Sequence, residues 1–157
     1  MTVSPLSFRA MEKKDAQELA RLEALVEPTP WKAGDFLDLI KNAWWGEVMV
    51  DETETILAWA VVMPVLDECE LLTIGVTPER QGEGLGRKML DRALAAQKAG
   101  RKVCCHLEVR ESNARAIRLY ETSGFARVGL RKNYYRTESG RENAILMRAD
   151  WSEADHA

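Results

Sequence analysis

Residues Gln81-Gly82-Glu83-Gly84-Leu85-Gly86-Arg87 place three glycines in five positions, between a run that reads as a strand and one that reads as a helix. Glycines let an anion approach the backbone closely, and the unsatisfied N–H groups of a helix start point toward it. Arg87 and Lys88 add positive charge beside them. The spacing excludes two familiar nucleotide loops. A dinucleotide-binding G-x-G-x-x-G needs a glycine three residues past Gly84, and a P-loop needs one five residues past Gly82; both positions are Arg87. A tight strand-to-helix turn explains the same glycines by their dihedral freedom alone. On spacing alone the turn is slightly preferred to the anion site.

Glu108 and Tyr120 carry groups that can move protons. Taken alone, Glu108 is a strand-end carboxylate to be paired with a neighbouring arginine. Tyr120 stands seven residues past Asn113, about 10 Å along a helix, and reads as a core tyrosine on the Ile117 face. His106, in mid-strand between cysteines, reads as a satisfied buried histidine. Cys69, Cys104, Cys105 and His106 have no zinc spacing along the chain, so no metal is expected. Three cysteines without a C-x-x-C argue against a disulfide framework.

The surrounding elements must hold these groups. Leu6–Met11 reads as a short strand. Asp15 and Glu18 read as a capping box opening a helix with Leu19, Leu22 and Val26 on one stripe, stopped by Pro28-Thr29-Pro30. A second helix is expected from Asp35, with Phe36, Leu37 and Ile40 inward, ended by Gly46. Glu47–Val50 and the nearly continuous apolar run Ile56–Met63 read as strands about a turn at Asp51–Thr55, the second closed by Pro64. Leu71–Val76 reads as a buried strand entering the glycine loop. The helix beyond it carries Leu85, Met89, Ala93 and Ala96 on one side and ends at Gly100. In Lys102–Val109, Val103, Cys105, Leu107 and Val109 alternate with Cys104, His106 and Glu108. Asn113 caps a helix that ends at Gly124. Phe125–Leu130 and Ala144–Met147 read as a closing strand pair around a long turn. The order β-α-α-β-β-β-α-β-α-β-β describes a mixed α/β domain.

The 157 residues fit one domain, spanning 1–157, with a mobile tail over about the last seven. The net charge of −3 excludes a generic nucleic-acid coat. No run approaches the length of a membrane span, and the N-terminus lacks a signal-peptide segment, so a cytoplasmic protein is expected. Charge is uneven. Residues 1–75 are net −8 and residues 101–148 net +6, so an anionic ligand would favour the second region and a cationic one the first.

As Gln81-x-x-Gly84-x-Gly86, the loop is similar to the coenzyme A pyrophosphate loop of the GCN5-related N-acetyltransferases, the GNAT family. Residues 107–125, LEVRESNARAIRLYETSGF, resemble the LEVR-x-SN-x-x-AI-x-LYE-x-x-GF segment of that family's RimI-type branch. Asn133-Tyr134-Tyr135 resembles its NYY signature, and Gly140-Arg141-Glu142-Asn143-Ala144 its GRE(D/N)A signature. The likeness is continuous over residues 69–148 and thin over 1–68, where Pro30-Trp31 and Phe36 are the echo. Gln81 stands where arginine is frequent, Gly75 where the branch has alanine, and Asn143 where it has aspartate.

The resemblance implies a GNAT fold: a central, mostly antiparallel sheet with splayed middle strands, flanked by helices. It implies direct transfer of an acetyl group from acetyl-CoA to the N-terminal alanine of a small-subunit ribosomal protein. An N-terminal amine has an ordinary pKa of roughly 8, against about 10.4 for lysine, so a modest base suffices. The resemblance gives that role to Glu108 and gives Tyr120 the protonation of the departing thiolate. It assigns the pantetheine arm to the backbone of Ile74, Gly75 and Val76, with the Val76 N–H polarising the thioester carbonyl. It assigns the pyrophosphate to Gly82, Glu83, Gly84, Leu85, Gly86 and Arg87, and a further cofactor contact to Asn113. Tyr134 and Tyr135 lie beside the peptide. Neither metal, nucleic acid nor membrane takes part. The rivals are a GNAT enzyme acetylating lysine or a small amine, and a non-catalytic acyl-CoA-binding module. The tyrosine pair speaks against the first, and the presence of both Glu108 and Tyr120 against the second.

Overall fold

Every residue from Ile56 to Val62 is buried, as expected of a strand covered on both faces. In the computed structural model, which describes residues 5–151, this run forms most of β3 (Ile56–Val65). The other elements are β1 (Ser7–Ala10), α1 (Ala16–Val26), α2 (Ala33–Lys41), β2 (Trp45–Val50), β4 (Glu68–Val76), α3 (Leu85–Ala99), β5 (Cys104–Arg110), α4 (Ala114–Thr122), β6 (Ala126–Thr137) and β7 (Gly140–Asp150). The strands form one seven-stranded sheet in the order β1-β2-β3-β4-β5-β7-β6. Pairing is antiparallel for β1–β2, β2–β3, β5–β7 and β6–β7, and parallel for β4–β5. The parallel pair is joined in sequence by α3, the long crossover such a pair requires. The expected C-terminal tail, past Trp151, lies outside the described residues. Among the described residues no helix is long and apolar enough to cross a membrane.

The chain divides into two compact units. The first comprises Met1–Met63 and Thr73–Leu94. Its core takes Leu19 and Leu22 from α1, Phe36 and Leu39 from α2, Val48–Val50 from β2, the β3 run, and Met89 and Leu90 from α3. The second comprises Pro64–Leu72 and Ala95–Ala157. Its core takes Cys105, Leu107 and Val109 from β5, Ile145 and Met147 from β7, Ile117 and Tyr120 from α4, and Phe125.

The expected element order holds, with local corrections. The capping box lies three residues earlier than expected, between Glu12 and Asp15 around a short 3-10 turn. The Asp15 carboxylate accepts the Glu12 N–H and grips the Arg9 guanidinium at 2.8 and 2.9 Å, while Glu18 pairs with Arg21. In α2, Leu39 is buried and Leu37 is 42% exposed, because the helix starts two residues before Asp35 and its inward stripe follows from Phe36. Gly46 lies inside β2; a Cβ there would stand 2.7 Å from Leu39 Cδ1. The stop of α2 is instead a left-handed Ala43 (φ 56°), with the Trp44 N–H returning to the Leu39 carbonyl. Helix α3 ends the same way at Arg101 (φ 62°), one residue past Gly100. Only α4 uses glycine at this position, Gly124 (φ 99°). The long turn expected between the last two strands is mostly strand: β6 and β7 meet near Thr137 and Gly140, with register shifts in Arg127–Gly129 and Arg131–Tyr135.

Candidate active site

In the first unit, β4 ends at Val76 and a 3-10 turn, Pro78–Arg80, leads into the glycine loop. The Thr77 N–H donates to the Leu57 carbonyl at 2.8 Å, fixing the strand end. Gln81 donates through Nε2 to the Val76 carbonyl at 3.1 Å, so the residue replacing the family's arginine ties the loop to the strand. Gly82 (φ 84°) and Gly84 (φ 80°) are both left-handed, and a Cβ on either would meet nothing within 4 Å. The turn reading of these glycines therefore holds, since the dihedrals demand glycine. The space that a Cβ would take is open, as an anion site would need. Helix α3 begins at Leu85, so the N–H groups of its first turn lie at the loop, that of Lys88 donating to the Gly84 carbonyl at 3.2 Å. Glu83 is held by Arg80 at 3.0 Å. Arg87 and Lys88 are exposed on the first turn. This loop suits a pyrophosphate: backbone donors, an open glycine face and basic side chains.

Glu23, on α1, is the group that sequence reasoning missed. It is 1% exposed. Its carboxylate accepts from Trp59 Nε1 at 2.9 Å, Thr73 Oγ1 at 2.7 Å and the Trp31 N–H at 3.1 Å. A buried carboxylate is tolerated only when bonded in this way. It holds β4 at Thr73, one residue before Ile74. Gly75 follows, and a Cβ there would overlap the Trp59 ring. The Glu23–Trp59 contact thus accounts for glycine where the resembling branch has alanine. A lone glutamate on a helix carries no sequence signal of this role.

In the second unit, Glu108 projects from β5 with 22% of its side chain exposed, and Arg131 Nη2 stands 3.3 Å from its Oε1. The arginine partner expected for a strand-end carboxylate is therefore present, supplied by β6. The same guanidinium lies over the Tyr134 ring, 5.3 Å from its centroid. Tyr134 and Tyr135 pack edge to face at 5.0 Å, and Arg110 covers Tyr135 at 4.3 Å. Glu108, Arg131 and the tyrosine pair thus form one contact chain. Burial first, and the charge of Glu108 second, push the Glu70 carboxyl above its ordinary range.

The signature residues of β7 bind the hairpin to β5 and to the loop that follows it. Glu142 accepts from the Ser112 N–H at 3.1 Å and its hydroxyl at 2.7 Å, and pairs with Arg110. Asn143 Oδ1 accepts from the left-handed Asn133 at 2.9 Å, while its Nδ2 donates to Glu111 at 3.2 Å. The branch's aspartate would set two carboxylates together there, so asparagine suits a chain with Glu111. Asn113 caps α4, its Oδ1 accepting from the Ala116 N–H at 3.1 Å. Tyr120 is 8% exposed and packs edge to face on Phe125 at 5.9 Å.

Residues 16–125 match the family model described as acetyltransferase (GNAT) family. The chain is 34% identical over 141 residues to the [Ribosomal protein bS18]-alanine N-acetyltransferase of Escherichia coli strain K12, covering 90% of this chain and 95% of that protein. It is 35% identical to the N-alpha-acetyltransferase RimI of Mycobacterium tuberculosis, over 93% of each. The crystal structure of the E. coli ribosomal-protein-S18-alanine N-acetyltransferase superposes with a TM-score of 0.88 at 32% identity, covering 94% of this chain and 95% of that one. Arabidopsis thaliana NAA60 in complex with a bisubstrate analogue shares the fold at 17% identity, with a TM-score of 0.84 over 93% of this chain and 98% of that one. With its sheet, glycine loop and signature hairpin, the chain belongs to the GNAT acetyltransferase family.

Proposed function

We propose that this protein transfers the acetyl group of acetyl-CoA to the N-terminal α-amino group of a protein, with the N-terminal alanine of a ribosomal protein as substrate, in the cytoplasm. The observation that carries this reading is the near full-length similarity to bS18-alanine and N-alpha-acetyltransferases.

Gly82–Arg87 and the α3 start bind the pyrophosphate through backbone N–H groups and the basic first turn. The backbone of Ile74, Gly75 and Val76 lines the pantetheine arm, and the Val76 N–H polarises the thioester carbonyl. Asn113 adds a cofactor contact. Glu108 takes the proton of the attacking amine, directly or through one water, with Arg131 orienting its carboxylate. The C–N bond forms, the C–S bond breaks, and the Tyr120 phenol gives its proton to the leaving thiolate. Tyr134 and Tyr135, with their arginine partners, flank the peptide. No protein-bound acetyl intermediate is required.

Mass spectrometry of three peptides tests the reading: Ala-starting, Met-starting, and N-terminally blocked with an internal lysine. Acetylation of the Ala-starting peptide above the other two is expected. Preferential modification of the blocked lysine peptide overturns it.

A further inference from the structure

Glu68, Cys104 and His106 place one carboxylate oxygen, one thiol sulfur and one imidazole nitrogen within 4.8 Å of one another. No part of the acetyl transfer uses them. The linear spacing of the cysteines and histidine gives no zinc pattern, because the third group comes from the neighbouring strand. Parallel pairing sets Glu68 directly beside Cys104 and Glu70 beside His106. Residues paired in this way share a sheet face, as do Cys104 and His106 two apart on β5. His106 Nε2 stands 2.8 Å from Glu68 Oε1 and 3.6 Å from Cys104 Sγ.

From these contacts we propose that Glu68, Cys104 and His106 form a binding site for one zinc-like divalent cation. Zinc bonds of about 2.3 Å to sulfur and roughly 2.0–2.2 Å to nitrogen and oxygen set the ligand atoms of a tetrahedron roughly 3.2–3.8 Å apart. The Cys104–His106 separation already lies in that range. The Glu68–His106 separation must open by roughly half an ångström. Both side chains are 38% exposed, so a rotamer adjustment suffices and the cation has a path from solvent. Three protein ligands leave a fourth position for water, as in open zinc sites. A thiolate and an imidazole favour a borderline-soft cation over magnesium or calcium, which take oxygen. The cationic residue paired with His106 on β7 is Arg148; its guanidinium is engaged by Asp150 at 2.7 Å. A plain His106–Glu68 ion pair is the competing account, and it gives Cys104 no ligand role.

Cobalt(II) replaces zinc as a coloured probe. Tag-free, reduced protein is titrated with cobalt(II) and then with zinc. One equivalent should give a thiolate-to-cobalt charge-transfer band and the intense visible absorption of four-coordinate cobalt, displaced by zinc. Cys104→Ser should abolish the charge-transfer band, while Cys69→Ser and Cys105→Ser retain it. Glu68→Gln and His106→Ala alter half-exposed side chains and should keep the native circular dichroism. They should weaken zinc binding by at least the roughly 10–100-fold that loss of an outer-sphere partner costs. The proposal is overturned if the folded protein gives no charge-transfer band at stoichiometric cobalt. It is equally overturned if the band survives Cys104→Ser, or if zinc affinity is unchanged in both Glu68→Gln and His106→Ala.

Discussion

Glu108 carries its two sequence readings together: it is paired with an arginine, and in the proposed reaction it is the base. The pairing is with Arg131, whose guanidinium also lies over Tyr134, so the carboxylate is oriented by a residue of the hairpin that, in the proposed reaction, flanks the peptide. Glu108→Gln keeps the shape and removes proton acceptance. Its kcat/KM should fall on the order of 10²–10⁴-fold at neutral pH. The deficit should narrow as pH rises and the substrate amine deprotonates in solution. A pH–rate profile matching that of the parent enzyme would count against Glu108 as the base. Arg131→Ala should instead raise KM for peptide and lower kcat together, since it frees the carboxylate and uncovers the tyrosine in one step. A change confined to the acetyl-CoA KM would argue against that coupling. Tyr120 was legible as a buried tyrosine from its place on the Ile117 stripe, whereas Glu23 was not. Nothing in a helix sequence tells a solvated glutamate from a buried one that collects three donors from two strands and a loop.

Among the elements, legibility followed the range of the forces involved. Periodicity marked the core faces of β5 and α4, and an unbroken apolar run marked β3 as a strand covered on both faces, because burial imposes those patterns directly. Helix ends were less legible. A glycine is read as a stop, but the physical requirement is one left-handed residue whose neighbours return N–H groups to the last turn. Ala43 and Arg101 meet it without glycine. The extent of the β6–β7 hairpin escaped because polar residues there face solvent on a ladder held by Asn133, Glu142 and Asn143 rather than by a core. The capping box shifted because Asp15 is claimed by Arg9 of β1. Burial alone would raise the Asp15 carboxyl, but the Arg9 guanidinium and the Glu12 N–H outweigh it and hold it below its ordinary range. A carboxylate depressed in the folded state adds stability above its unfolded pKa and loses it as pH falls through the folded value. Asp15→Asn should therefore cost about 1.5–3 kcal/mol at neutral pH, and the gap from the parent should close below about pH 4. Denaturant melts across pH check this; a gap constant with pH would assign the effect to packing. At the glycine loop the left-handed dihedral of Gly84 makes any side chain strained. Gly84→Val should raise the acetyl-CoA dissociation constant at least tenfold, equivalent to about 1.4 kcal/mol, in a variant that remains folded. Unchanged affinity by calorimetry would remove the pyrophosphate assignment.

For the whole molecule, the charge pattern sets how two unlike substrates would arrive. The overall charge of −3 hides a first half at −8 and a stretch over 101–148 at +6. Acetyl-CoA is anionic, and its proposed loop has Arg87 and Lys88 on the first turn of α3. A ribosomal-protein substrate is rich in lysine and arginine and would be drawn by the acidic residues of the first half. Fields of this kind act on encounter more than on bound affinity, and salt screens them beyond roughly 8–10 Å under physiological conditions. For two Ala-starting peptides differing only in downstream charge, kcat/KM should favour the basic one at low salt. The advantage should shrink as salt rises. Acetyl-CoA must be held saturating throughout, because its own binding to a basic loop is also salt-sensitive. Measured in this way, a parallel response of both peptides would mean that the acidic half does not steer the substrate. Selectivity would then rest on short-range contacts at Tyr134 and Tyr135, and Tyr134→Ala should erase it equally at every salt concentration.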